Sequence, residues 1–159
     1  MGVSGAGKTV VGTRLADALG VPFLEGDDLH PADNVRRMAQ GIPLTDDDRR
    51  GWLAAIAERI AQARQTGTGL VVSCSALKRA YRDVLRGADP DLKFAHLAGD
   101  PALIARRMSG RVGHFMPAAL LESQLATLEA PAPEERAWTF DLADPPASIV
   151  AQIVARLTA

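Results

Sequence analysis

This sequence predicts an α/β domain, a parallel sheet covered by helices on both faces, and three observations point there. Short apolar runs alternate with stretches of helical periodicity, the pattern of strand–helix–strand units. The chain opens on Met-Gly-Val-Ser-Gly-Ala-Gly-Lys-Thr, where Gly2, Gly7, Lys8 and Thr9 fit G-x-x-x-x-G-K-[ST], a phosphate-binding loop ahead of a helix. Its 159 residues, 47% hydrophobic and 23% charged, suit one globular domain with a real core.

The elements follow in order. Lys8 to Leu19 is the helix after the loop, with Val11, Leu15, Ala18 and Leu19 at helical spacing and Gly20 as its stop. Val21 to Glu25 is a short buried strand ending in Glu-Gly-Asp-Asp-Leu-His-Pro, and Pro31 opens a helix through Ala39. Thr45 caps the next helix, with Asp48 at the capping-box position and Trp52, Leu53, Ile56 and Ile60 as the buried stripe. Leu70 to Cys74 is the clearest strand, and Ser75 is expected to cap a helix from about Ala76 to Arg86. Lys93 to Ala98 is a strand, and Asp100-Pro101 starts a helix with Leu103, Ile104 and Met108 on one side. Gly110 to Gly113 is a basic, glycine-bearing break before a helix from Pro117 to Leu128, and Pro131 to Glu135 reads as a loop. Trp138 to Leu142 is the last strand. Pro146 to Leu157 closes the chain, with Ile149, Val150, Ile153, Val154 and Leu157 expected inward. No repeat or linker divides residues 1–159, which are expected to form a single domain.

The totals exclude several classes. A net charge of −1, from 18 basic and 19 acidic residues, points to neither a nucleic-acid nor a membrane partner. No run approaches the ~18 apolar residues of a membrane span, and no secretory leader is visible. The single cysteine, Cys74, excludes an intrachain disulfide, fits a reducing cytoplasm and is expected in the core.

The opening loop needs each residue type where it stands. Glycines let the backbone take positive φ and approach phosphates. The N–H groups of Ser4, Gly5, Ala6, Gly7, Lys8 and Thr9 can then point inward as an anion nest. Lys8 puts a charge beside the β- and γ-phosphates of a nucleotide, and the Thr9 hydroxyl is the expected ligand of Mg²⁺. A helix starting near Gly7 aims its positive end at the same anion.

Several collinear stretches together resemble the bacterial gluconate kinases. They are the loop at 1–9, Glu-Gly-Asp-Asp-Leu-His-Pro at 25–31, Asn34 to Met38, and Gly-Ile-Pro-Leu-Thr-Asp-Asp-Asp-Arg at 41–49 with Trp52-Leu53. Cys-Ser-Ala-Leu-Lys at 74–78, Tyr81-Arg82, Gly-His-Phe at 113–115, Leu-Leu-Glu-Ser-Gln at 120–124 and Leu-Glu-Ala-Pro at 128–131 complete the set. The loop alone is generic; the Asp-Leu-His-Pro and Cys-Ser-Ala-Leu-Lys blocks point to this family. The resemblance implies ATP-dependent phosphorylation of D-gluconate at its 6-hydroxyl, giving 6-phosphogluconate and ADP. It implies a three-layer P-loop kinase fold with strand order 2-3-1-4-5 and a mobile lid, at about residues 107–117 here. It allows a homodimer.

Site candidates follow. Asp27, at a strand end near the loop, is the candidate to orient the attacking hydroxyl and accept its proton; its other reading is a helix cap. The strand at 70–74 carries no Walker-B aspartate, so a carboxylate assisting Mg²⁺ must come from elsewhere, with Glu25 or Asp27 the nearest choices. Arg49, Lys78 and Arg82 are candidates to bind the gluconate anion, the latter two otherwise forming a solvated basic face. His30 is a candidate for substrate hydroxyls and equally a structural histidine, and His114, with Phe115, is a candidate to close over the substrate. Arg107 and Arg111 enter the break, and one or both are expected to reach the transferring phosphoryl group from the lid, the alternative being an exposed helix end. His96 is a strand side chain, Trp52 is core, and Asp46 to Asp48 serve as helix-capping carboxylates.

Three departures from the family stand out. Arg37 replaces a usual Lys, Gly51 a usual Pro, and the strand that should precede the loop is missing. An apolar strand is therefore expected upstream of Met1; without it, the sheet should split between the 70–74 and 93–98 strands with a gap of ~9–10 Å. The competing readings are a shikimate-type or nucleotide kinase, and a catalytically silent nucleotide-binding protein. No Asn-Lys-x-Asp sequence is present for reading guanine.

Overall fold

The computed structural model describes residues 1–110 and 118–159. The loop leads into α1 (Lys8–Leu19), then β1 (Phe23–Glu25), a 3₁₀ turn (Gly26–Leu29), α2 (Ala32–Ala39) and α3 (Asp46–Thr66). After these come β2 (Val71–Ser73), α4 (Arg79–Ala88), β3 (Ala95–Ala98), α5 (Pro101–Ser109), α6 (Ala118–Thr127), β4 (Trp138–Asp141) and α7 (Pro146–Thr158). The α/β expectation holds: all four strands pair in parallel, with α1 and α7 packed together and α3 packed against α4.

The sheet is split. β1 lies beside β2, with Phe23 opposite Val71, and β3 beside β4, with Ala95 opposite Trp138. That is the order 2-3-1-4-5 without its first strand. Between the halves lies an apolar cavity of about 460 Å³, walled by Val72, Cys74, Ala95, Leu97, Leu15 and Ile60 among others. Met1 and Gly2 bridge its end. The Leu97 N–H donates to the Met1 carbonyl at 2.9 Å, and the Gly2 N–H donates to the Ser75 carbonyl at 3.2 Å.

Two clusters make the core. One gathers Val3, Val11, Leu15, Leu97, Phe140 and Ile153; the other centres on Trp52, Leu53, Ile56, Ile60, Tyr81 and Phe94. The α3 stripe is as predicted, and so is its capping box. The Asp48 N–H donates to Thr45 Oγ1 at 3.1 Å, and the Thr45 N–H donates to Asp48 Oδ2 at 2.8 Å.

Four local expectations are corrected. In α1, Ala16 rather than Ala18 or Leu19 turns inward, and Leu157 in α7 is 42% exposed. Ser75 caps no helix: α4 begins only at Arg79, because Ala76 takes a left-handed φ of 46° and holds the chain out of helical geometry. The carbonyls of Ala76 and Leu77 accept instead from Arg82 Nη1, at 2.9 and 3.2 Å. Finally, the loop at 131–135 contains a 3₁₀ turn, Pro133–Glu135, that buries Glu135 against Arg82.

That last pair is a bidentate ion pair sealed from water. Arg82 Nε donates to Glu135 Oε2 at 2.6 Å and Nη2 to Oε1 at 2.8 Å. The guanidinium holds the Glu135 carboxyl down at about 2. Because the folded value lies below the unfolded one, this stabilisation is full above the ordinary glutamate range and is lost as pH falls toward 2. Glu135→Ala strands the Arg82 charge inside and is expected to cost ~3–5 kcal/mol in urea unfolding at neutral pH. An unfolding midpoint equal to the parent's would show that the pair carries no such weight.

Candidate active site

The site stands at the carboxyl ends of the strands, where ligands collect in open α/β sheets. Gly7 ends the loop in a left-handed conformation, φ 96°, that only glycine takes freely, and it caps α1. Lys8 Nζ donates to the Val3 carbonyl at 2.9 Å across the loop's base. The nest is not wholly open. The Ala6 N–H points at the Val3 carbonyl, 3.3 Å away, and the Ser4 N–H donates to Gln124 Oε1 at 2.7 Å. Ser4 was expected among the phosphate donors; its place at the loop's mouth, against α6, gives its amide a protein partner instead.

The Thr9 hydroxyl donates to Glu25 Oε2 at 2.5 Å. Two hard oxygen ligands thus meet where a strand end faces the phosphate helix, a donor set suited to Mg²⁺. Among the described residues no cluster of three or more His, Cys, Asp or Glu could hold a metal by itself.

A cavity of about 310 Å³ opens beside the loop, walled by Ser4 and Lys8 on the phosphate side and by Asp27, His30, Arg49 and Gln124 among its other lining residues. Asp27 is carried by the 3₁₀ turn after β1. That turn runs so close to β2 that a Cβ on Gly26 would lie 2.3 Å from the Ser73 carbonyl oxygen. Trp52 fixes it from α3: the indole Nε1 donates to the Gly26 carbonyl at 2.7 Å. The same indole stacks on His30, centroids 4.2 Å apart and planes 15° from parallel. Trp52, expected only as core, therefore positions two pocket residues. Asn34, buried on α2, donates to the Asp48 carbonyl at 2.7 Å and lies 3.4 Å from His30 Nδ1.

Burial, with the nearby Arg49 charge, lowers the His30 pKa to about 4, so the ring is neutral at physiological pH. With Nδ1 accepting from Asn34, the ring proton sits on Nε2 as a donor. Arg49 Nη1 donates to the Tyr81 hydroxyl at 3.0 Å, and that hydroxyl donates in turn to Asp46. Lys78 Nζ donates to the same carboxylate at 2.9 and 3.1 Å. The Tyr81 and Lys78 hydrogen bonds lower the Asp46 pKa, and the bond to Asp46 raises that of Lys78. Asp46 is thus more than a helix-capping carboxylate: it organises the cations beside the pocket.

The candidates divide accordingly. Lys8, Asp27, His30 and Arg49 share one cavity. Lys78 reaches Arg49 only through Asp46 and Tyr81. Arg82, proposed from sequence to bind substrate, is fully buried and committed to Glu135 and two carbonyls, so it does not reach the cavity. Arg107 lies on the last turn of α5, whose Ile104 and Met108 crowd Gly5 closely enough to meet any Cβ placed there. Arg111 and His114, with most of the proposed lid, lie outside the described residues. Cys74 is buried, its thiol pushed up to about 11, and is inert core as expected. Among the described residues no helix is long and apolar enough to cross a membrane.

The His30 state is open to measurement. In an NMR titration of the imidazole shifts, its midpoint is expected near pH 4 rather than in the ordinary histidine range. Since the folded value is the lower one, this histidine's contribution to stability is full above the unfolded value and declines as pH falls from there toward 4. A midpoint near the ordinary value would mean that the ring is solvated and not clamped by Trp52.

Comparison with known proteins agrees with the geometry. Residues 1–131 match a family described as an AAA domain. Over 135 residues the chain is 53% identical to the gluconokinase of Gluconobacter oxydans (strain 621H), covering 85% of this chain and 76% of that one. It is 49% identical over 141 residues to the thermosensitive gluconokinase of Escherichia coli (strain K12), covering 86% and 73%. The crystal structure of a gluconokinase from Sinorhizobium meliloti 1021 superposes with a TM-score of 0.89 at 54% identity, covering 99% of this chain and 89% of that one. An APS kinase from Mycobacterium tuberculosis, 17% identical with a TM-score of 0.70, shares the fold.

Proposed function

The chain belongs to the gluconokinase family of P-loop kinases, and from that premise we propose how residues 1–159, acting as one kinase domain, carry out the reaction. The protein is a kinase that transfers a phosphoryl group from ATP to gluconate. The acceptor atom is the 6-hydroxyl, and the products are 6-phosphogluconate and ADP. The observation that supports this most is the shared cavity, which sets the phosphate loop's Ser4 and Lys8 against Asp27, His30 and Arg49.

Phosphoryl transfer asks for alignment and charge neutralisation more than for covalent chemistry by the protein. Lys8 leaves the Val3 carbonyl for the β- and γ-phosphates, where the amides of Gly5, Gly7 and Thr9 and the N-terminus of α1 add positive potential. Arg49 meets the gluconate carboxylate, and neutral His30 donates from Nε2 to a hydroxyl. Asp27 takes the proton of O6 as the O6–phosphorus bond forms and the bond to the bridging oxygen of ADP breaks. Arg107 approaches the transferring group from α5. Thr9 and Glu25 would hold Mg²⁺, which would supply charge neutralisation for the transferring phosphoryl group.

Two measurements test this reading. ADP release is expected with gluconate and not with shikimate or a nucleoside monophosphate; turnover of either of those alone would move the protein to another kinase class. Asp27→Asn keeps the size of the side chain and removes the base, so kcat should fall ~10²-fold or more while ATP affinity stays within about twofold. Full turnover in a folded Asp27→Asn protein would assign the proton to another acceptor.

A further inference from the structure

One contact in the cavity belongs neither to the phosphate loop alone nor to the acceptor side. Gln124, on α6, accepts the Ser4 N–H through Oε1 at 2.7 Å and also lines the acceptor cavity with Asp27, His30 and Arg49. It is separated from Ser4 by 120 residues, so the bond is wholly tertiary. The helix does not need it for docking. Leu120 and Leu121 are buried, Leu125 and Leu128 pack against the core, and the Glu129 N–H donates to the Leu77 carbonyl at 2.8 Å just beyond the helix.

What the bond does is tie one wall of the acceptor cavity to the mouth of the phosphate loop. The carboxamide is planar, so holding Oε1 on a backbone amide also sets where the two Nε2 protons point. It carries no charge, so it stands among Lys8, Asp27 and Arg49 without biasing the anions they handle. The bond thus joins the backbone of the phosphate loop directly to the α6 wall of the acceptor cavity.

We infer that Gln124 is a positioning residue that couples the two substrate sites: its bond to Ser4 makes an occupied phosphate loop favour binding of the sugar acid. The inference rests on the gluconokinase reading. Such coupling is reciprocal, so gluconate strengthens nucleotide binding by the same factor.

The test is calorimetric, on the whole chain. The gluconate dissociation constant is measured with and without saturating non-hydrolysable ATP analogue, for the parent, Gln124→Met and Gln124→Glu. The parent is expected to bind gluconate at least ~5-fold more tightly with nucleotide present. Gln124→Met keeps the length but has no strong acceptor, and its ratio should fall to near 1 with an unchanged melting temperature. Gln124→Glu keeps an acceptor at the same reach, so its ratio should stay above that of Gln124→Met even where its added charge weakens nucleotide binding overall. A residue that only supports the fold would shift melting and both affinities together and leave the ratio alone. An unchanged ratio in Gln124→Met, or a parent ratio of 1, overturns the coupling. Should Gln124→Met not fold, a ratio of 1 in folded Gln124→Glu overturns it equally. A parent that binds no gluconate sinks the functional reading and this inference with it, whereas a coupled parent whose ratio survives both substitutions sinks the inference alone.

Discussion

The site depends on where the phosphate loop is hung. In a parallel α/β sheet the loop must emerge at the carboxyl ends of the strands, facing residues delivered by neighbouring strand ends. Here the sheet is two separate pairs, and Met1 and Gly2 span the interval with hydrogen bonds to Leu97 on one side and Ser75 on the other. Each half contributes differently. The β1–β2 pair delivers Glu25, Asp27 and Ser75, while β3 leads to α5 and so to Arg107.

Charge in this protein is sorted by burial. Arg82 and Glu135 are removed from water and satisfy one another in a bidentate pair, with Arg86 donating to the Glu135 carbonyl at 2.8 Å. Such a pair fixes geometry more than it adds stability, since desolvation offsets much of the attraction. What it fixes is the approach to α4, and with it Tyr81, the adjoining residue. Arg49 is handled in the opposite way. It keeps partial exposure and is steadied by a neutral hydroxyl from Tyr81. Its charge is shared with the Asp46 and Asp48 carboxylates through space and with Asp46 through Tyr81, and Arg49 also lines the cavity.

The legible part of the molecule was the part written locally. The capping box at Thr45 and Asp48, the α3 stripe and the Gly7 turn each lie within a few residues of sequence, and each was found as read. The phosphate loop and the carboxylates at the end of β1 were legible because their spacing carries the chemistry. What escaped were pairings between distant positions. Nothing local distinguishes Arg82 from a solvated helix cation, because its partner is 53 residues away in a segment that reads as loop. Ser4 and Gln124 were missed as a pair for the same reason. Trp52 gave the one available signal: a buried indole needs an acceptor for its N–H, and the Gly26 carbonyl beside Asp27 is that acceptor.

The neutral state of His30 bears on how such a site discriminates. Gluconate carries one negative charge and several hydroxyls, so a pocket that answered it with cations alone would accept many anions. Here the cavity holds two cations, Lys8 on the phosphate side and Arg49 on the acceptor side, and sets beside them the Asp27 carboxylate and uncharged groups of His30, Ser75 and Gln124. Polar groups of that kind, once desolvated, penalise a ligand that cannot satisfy them. A site built to hydrogen-bond a hydroxyl rejects the analogue lacking it by as much as ~10⁴–10⁵-fold, far beyond what shape achieves in an apolar pocket. The stacking of His30 on Trp52 serves that end, because a donor discriminates only if it cannot turn away to find another partner. Trp52 holds the turn that carries Asp27 by the same side chain. One indole therefore supports both the ring proposed to recognise hydroxyls and the turn that carries the proposed base.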